Sequence, residues 1–279
     1  MRKVLEVWIW SLSVLARSGW TLLVLAAAMA IWTLGAYEWL GLPESSGLLL
    51  VVALVWAIVQ IVFGLVVVSG SVWRAAETSA AAEILGAVPP LRPLWLKDRQ
   101  IYFKTFLALA VASLSVLIVS GVFGWINRHS IDVASFLTFH SQQPFSHVLL
   151  EEIYGVIETL LWIAFAGFLL SFLIVLMRRG WSAAWAQLGS LIARCAYGKA
   201  CITSLVSVGL FGGAVYGLTV WRPLAPAGFW DYSQLIVRMV LALLLVAAGW
   251  MFWLLSLARV HMPPPDTTGI PDTIPAFLP

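Results

Sequence analysis

Six stretches of this chain, residues 19–40, 47–72, 106–126, 148–177, 200–220 and 233–257, are apolar over about 20 residues or more. A bilayer core of about 30 Å is crossed by about 20 helical residues. Inside it every backbone polar group must be satisfied within the segment, which for separate stretches of this length means a helix. The expected fold is all-α: a polytopic membrane protein with six transmembrane helices. Composition agrees, with 62% hydrophobic and 10% charged residues against about 45–50% and about 25% in soluble domains.

The basic residues orient the spans. Arg2, Lys3, Arg17, Arg74, Arg92, Lys97, Arg99, Lys104, Arg178, Arg179, Arg194, Lys199 and Arg259 fall on one side, and only Arg128, Arg222 and Arg238 on the other. Basic loops stay inside, so both termini are expected in the cytoplasm and the protein in the cell (inner) membrane. Tryptophans mark the same boundaries, with Trp20, Trp73, Trp181, Trp250 and Trp253 toward inner ends and Trp39, Trp125, Trp221 and Trp230 toward outer ends, where amphipathic rings meet headgroups. The net charge of +3 is this inner collar and implies no nucleic-acid partner.

Three regions follow. Residues 1–18 read as an amphipathic interfacial helix, with Arg2, Lys3, Glu6, Ser13 and Arg17 on one face and Val4, Trp8, Ile9, Leu12 and Leu15 largely elsewhere. A signal peptide shares the basic start and apolar run, but the helical segregation favours the interface. Residues 19–260 form the six-helix domain, with cytoplasmic helical loops at 73–104 and 178–199. In the second loop Trp181, Trp185, Leu188, Ile192 and Cys195 recur at helical spacing and predict an interfacial helix with a partner surface. The first begins with the Ala-rich run 75–87, which either forms its own helix or continues the second span until Pro89 and Pro90 stop it. Residues 261–279 form a Pro-rich cytoplasmic tail, in which Ala276, Phe277 and Leu278 are a candidate docking peptide.

Ionisable residues at membrane depth mark function by default. Glu158 and Arg238 enter from the outer side at matching depth, so an intramembrane ion pair is the sharpest expectation. Gly209, Gly213 and Gly217 repeat small-xxx-small steps on one face of the fifth span and predict close helix packing, with a hinge or dimer seam as alternatives. Gln60, in the middle of the second span, is expected to bond a neighbouring helix. No proline lies inside a span, so the broken-helix signature of many transporters is missing.

Cofactor and catalytic motifs are not found. His147 and Glu151 share a helix face at acceptable metal spacing, but no second histidine completes the motif, and they remain weak metal candidates. No span carries a histidine for haem or a lysine for retinal at depth, no Gly-x-Ser-x-Gly elbow occurs, and no nucleophile and base share a depth. Cys195 and Cys201 match no redox or zinc spacing. The expectation is no cofactor and no enzyme activity. What fits is a non-catalytic integral membrane subunit, scaffold or accessory, whose partners are the lipid bilayer and other membrane subunits or a cytoplasmic protein, or a second copy of itself. The layout of an amino-terminal amphipathic helix, six spans and helical inner loops also resembles that of ABC-2 type permeases. That resemblance implies the permease subunit of a transporter for a lipid-like substrate, driven by a separate ATPase.

Overall fold

A computed structural model describes residues 2–41, 46–85, 88–94, 98–142, 144, 146–220 and 229–261. Among them all regular structure is helical, and six helical runs are long and apolar enough to cross a membrane: Gly19–Leu40, Gly47–Ile84, Arg99–Arg128, His147–Ala186, Lys199–Val220 and Ser233–His261. The Pro-rich tail expected at 261–279 lies outside the described residues apart from His261, as do Trp221, Arg222 and Lys97.

The chain begins with α1 (Arg2–Ala16) and α2 (Gly19–Leu40). Next, α3 (Gly47–Leu85) absorbs the Ala-rich run as one helix of 39 residues, about 58 Å long at 1.5 Å per residue. It therefore outruns a bilayer core, and the continuation reading of residues 75–87 is the one realised as far as Leu85. α4 (Arg99–Arg128) starts seven residues before the expected span because Asp98 caps it, its carboxylate accepting the Gln100 N–H at 2.8 Å. α5 (Ser130–Ser141) is an additional helix in the link between the third and fourth spans. α6 (His147–Ala186) is broken at Gly180, whose φ of 80° suits a residue without Cβ. α7 (Leu188–Tyr197) follows. The fifth span is α8 (Lys199–Ser207), one π turn at Val208–Gly212, and α9 (Gly213–Val220). The last helix is α10 (Phe229–His261).

Burial is uneven along the bundle. Call the end that carries α1 and the end of α10 proximal, and the other distal. The hydrophobic core runs through Val14, Leu25, Val72, Ala75, Ile101, Leu173, Leu176, Leu191, Met251, Leu255 and Ala258, which all belong to proximal halves. None of the 18 most apolar consecutive residues of α3 is buried, against half of those in α6. Hydrogen bonds follow the same division. At the distal end they lace neighbours in sequence: the indole N–H groups of Trp39, Trp56 and Trp32 donate to the carbonyls of Ala53 (2.9 Å), Gly35 (2.8 Å) and Gln60 (3.1 Å).

At the proximal end the bonds cross between hairpins. Ser11 and Ser256 Oγ are 2.9 Å apart, tying α1 to α10. Arg259 reaches Glu83 at 3.3 Å and lies over the Trp10 ring at 5.4 Å. The segment 88–94 is strapped across this end: Leu91 N–H donates to Ser18 Oγ (2.9 Å), Thr21 Oγ1 to the Leu91 carbonyl (3.0 Å) and Arg74 Nε to the Pro93 carbonyl (2.6 Å). The strap crosses α3 at Gly70, where a Cβ would run into the Leu94 carbonyl. Three hairpins, α2/α3, α4/α6 and α8–α9/α10, are thus clasped at the proximal end.

Candidate functional site

The expected pair of Glu158 and Arg238 is not made. Arg238 turns to the end of α9, where Nε donates to the Leu218 carbonyl at 2.7 Å and Nη2 to the carbonyls of Leu218 and, at 3.0 Å, Thr219. The last carbonyls of a helix lack intrahelical donors and carry partial negative charge, so they serve this guanidinium as a carboxylate would. Glu158 stays on its own helix and accepts the Trp162 indole N–H at 3.2 Å. An expectation of equal depth says nothing of direction around the bundle: at Arg238, α10 bonds α9.

The glycine stripe also needs correction. A Cβ placed on Gly209, Gly213 or Gly217 would meet no atom within 4 Å, so among the described residues they make no close helix contact. The π turn at Val208–Gly212 shifts the register there and seats Phe211 on α10, its Cβ 2.6 Å from a Cβ built on Gly249. Close approach falls at Gly35 beside the Gln60 side chain, Gly70 beside Leu94, Gly167 beside Ser204 and Gly249 beside Phe211. These glycines are isolated in the sequence and form no repeat. The Gln60 side chain makes no bond to a neighbouring helix; its Oε1 is buried and unpartnered.

The stripe of Trp181, Trp185, Leu188 and Ile192 splits in two. Gly180 and Gln187 interrupt the helix, so Trp181 and Leu188 pack against the core while Trp185 and Ile192 are 56% and 50% exposed. Of the stripe only Cys195 is fully buried, joined by Ala184 and Leu191, which lie outside it. His147 and Glu151 begin α6, where Glu151 accepts from Ser130 Oγ at 3.0 Å. No group of three His, Cys, Asp or Glu side chains converges among the described residues.

One constellation escaped the sequence. Ser171 on α6, fully buried, lies 2.8 Å from His261 Nε2 at the end of α10, and receives Cys195 Sγ of α7 at 3.7 Å. Ser171 also donates to the Gly167 carbonyl at 2.7 Å. A hydroxyl and an imidazole at this distance form a nucleophile–base pair in hydrolases. Among the described residues no carboxylate orients the ring, His261 Nδ1 is buried without a partner, and Ser171 has no accessible surface. The cluster bonds three helices of the proximal end. Burial pushes the Cys195 thiol up from its ordinary pKa, and the Ser171 hydrogen bond offsets only part of that. Since the thiolate is the reactive form, Cys195 is expected to resist maleimide at neutral and mildly alkaline pH in the folded protein and to react once unfolded, as read by mass spectrometry. Fast labelling of folded protein would contradict its placement.

Two clefts open on the surface. The distal one, about 600 Å³, is lined by Trp125, Ile126, His129, Asp132, Val133, Phe136 and Tyr154. The proximal one, about 400 Å³, is lined by Arg99, Gln100, Phe103, Lys104 and Trp181. Neither reaches Ser171. No family model, curated protein or solved structure matches the chain.

Proposed function

We propose that this chain is a non-catalytic integral membrane subunit, a scaffold or accessory component of a larger assembly in the cell (inner) membrane, with both termini in the cytoplasm. The proximal end carries most of the basic residues and is the cytoplasmic one by the loop-charge rule. α1 fits the interface there because it has three sides: Val4, Ser11, Val14 and Leu15 buried against protein, Leu5, Ile9 and Leu12 exposed and apolar, and Glu6 and Ser13 on the remainder.

The observation that carries the reading is the open Gly209–Gly213–Gly217 face on unburied distal helices. Exposed apolar surface alone does not call for a partner in a bilayer, since lipid tails are as apolar as leucine. A face without side chains does favour one, because backbones can approach closely there. A second copy or another membrane subunit is the occupant this geometry suits. Splayed distal halves and a π turn in the fifth span favour one second reading, the permease subunit for a lipid-like substrate. The apolar mid-membrane surfaces disfavour a hydrophilic solute in either case. Purification in mild detergent with identification of bound proteins separates the two: an ATPase in fixed stoichiometry favours the permease, and other membrane subunits without one favour the scaffold.

A further inference from the structure

We propose that the proximal cleft between α4 and the Gly180 break is a binding site for the headgroup of an anionic phospholipid, with the lipid's chains lying along α4. The inference rests on the six membrane-crossing helices and not on the subunit reading. Arg99 and Lys104 line the cleft together with Gln100, Phe103 and Trp181. Neither cation has an ion pair or side-chain hydrogen bond among the described residues. The acid beside them, Asp98, is committed to capping α4 through Gln100 N–H. The cleft thus presents two cations without an ion-pair partner among the described residues, and an amide, at the point where α4 enters the membrane, the level of lipid phosphates. Its volume of about 400 Å³ suits a headgroup rather than a protein segment.

The surface below the cleft supports a lipid in place of a free anion. Phe103, Leu107, Leu114, Leu117 and Ile118 are all exposed and, at 100° per residue, form one stripe that begins in the cleft and runs down α4. The break at Gly180 brings Trp181 to the same level on the other wall, and indole rings favour the headgroup region. A soluble phosphate would use the cations and leave the stripe idle; a phospholipid uses both. A zwitterionic lipid would gain less, because its own ammonium competes with the arginine and lysine.

The test uses the full chain purified from nanodiscs containing equal amounts of phosphatidylglycerol and phosphatidylcholine, with retained lipid counted by native mass spectrometry. Wild-type protein is expected to retain phosphatidylglycerol selectively. The double variant Arg99→Gln/Lys104→Gln is expected to lose roughly thirtyfold of that selectivity, from about one surface charge's worth of attraction per residue. Unchanged phosphatidylcholine retention and a single size-exclusion peak report that the variant is folded, and Arg128→Gln at the distal end should keep wild-type selectivity. Glycerol 3-phosphate, which has the phosphate without chains, should not displace the lipid. Equal retention of both lipids by the wild type, selectivity surviving in the double variant, or displacement by glycerol 3-phosphate would each overturn the proposal.

Discussion

Replacing Gly70 with valine should destabilise the protein by about 2–4 kcal/mol, lowering its unfolding midpoint, and open the strap over residues 88–94 to chymotrypsin after Leu91, which is buried in the folded protein. The cause is local and backbone-borne. A Cβ at Gly70 would run into the Leu94 carbonyl and lie 3.3 Å from the Leu94 Cβ, and a carbonyl in a strap cannot swing aside as a side-chain tip can. Moving it strains the bonds that hold the strap, from Ser18 and Thr21 to Leu91 and from Arg74 to Pro93. Both neighbours of the glycine are already buried serines that bond their own helix, Ser69 to the Leu65 carbonyl and Ser71 to that of Val67. α3 therefore has no room to rotate the new side chain outward. Gly121→Ala, with nothing within 4 Å, is the matched control and should leave both readouts unchanged. A Gly70→Val protein with wild-type midpoint and chymotrypsin resistance would contradict the strap's placement.

Ser171→Ala carries the second large effect. Removing this hydroxyl leaves both His261 ring nitrogens without a partner, because Nδ1 already has none and the ring is only 9% exposed. Orphaning a buried donor or acceptor costs about 1–3 kcal/mol. His261→Phe removes the imidazole's need at similar shape, so the double variant Ser171→Ala/His261→Phe should be less damaged than the sum of the singles, with a coupling of about 1 kcal/mol or more. Unfolding in graded SDS measures each variant. Strict additivity would show that the two side chains do not depend on each other.

The two cases mark where sequence reasoning reached and where it stopped. Each of the six spans was readable because hydropathy is a property of a segment by itself, and the Asp98 cap and Ala-rich extension adjusted only their ends. The break in α6 had its signal in Arg178–Arg179–Gly180 after a long apolar run, the usual pattern of a basic last turn and a terminal glycine. Likewise Ser130 and Asp132 mark the start of α5.

Pairing between spans was not readable. Ser171 and His261 lie 90 residues apart, and nothing sets Ser171 off from the chain's other serines until α6 and α10 are packed. Glu158 and Arg238 take other partners, since expected depth is one coordinate and rotation about the helix axis is another. The glycine stripe illustrates the same limit. Its spacing identified a face fit for close contact, but that face points away from the rest of the chain. That open face is where the proposed subunit contact would fall.

The central claim, that this chain is one part of a membrane assembly, is tested most directly by weighing the particle it forms in its native lipid. Protein extracted with its surrounding bilayer in polymer-bounded discs and analysed by native mass spectrometry should exceed the 30.6 kDa of a single chain by a fixed protein mass, either a second copy or a distinct subunit. Substituting Gly213 with leucine on the open face should reduce that added mass. A particle holding one 30.6 kDa chain and lipid alone, for the wild type and the variant alike, would contradict the account.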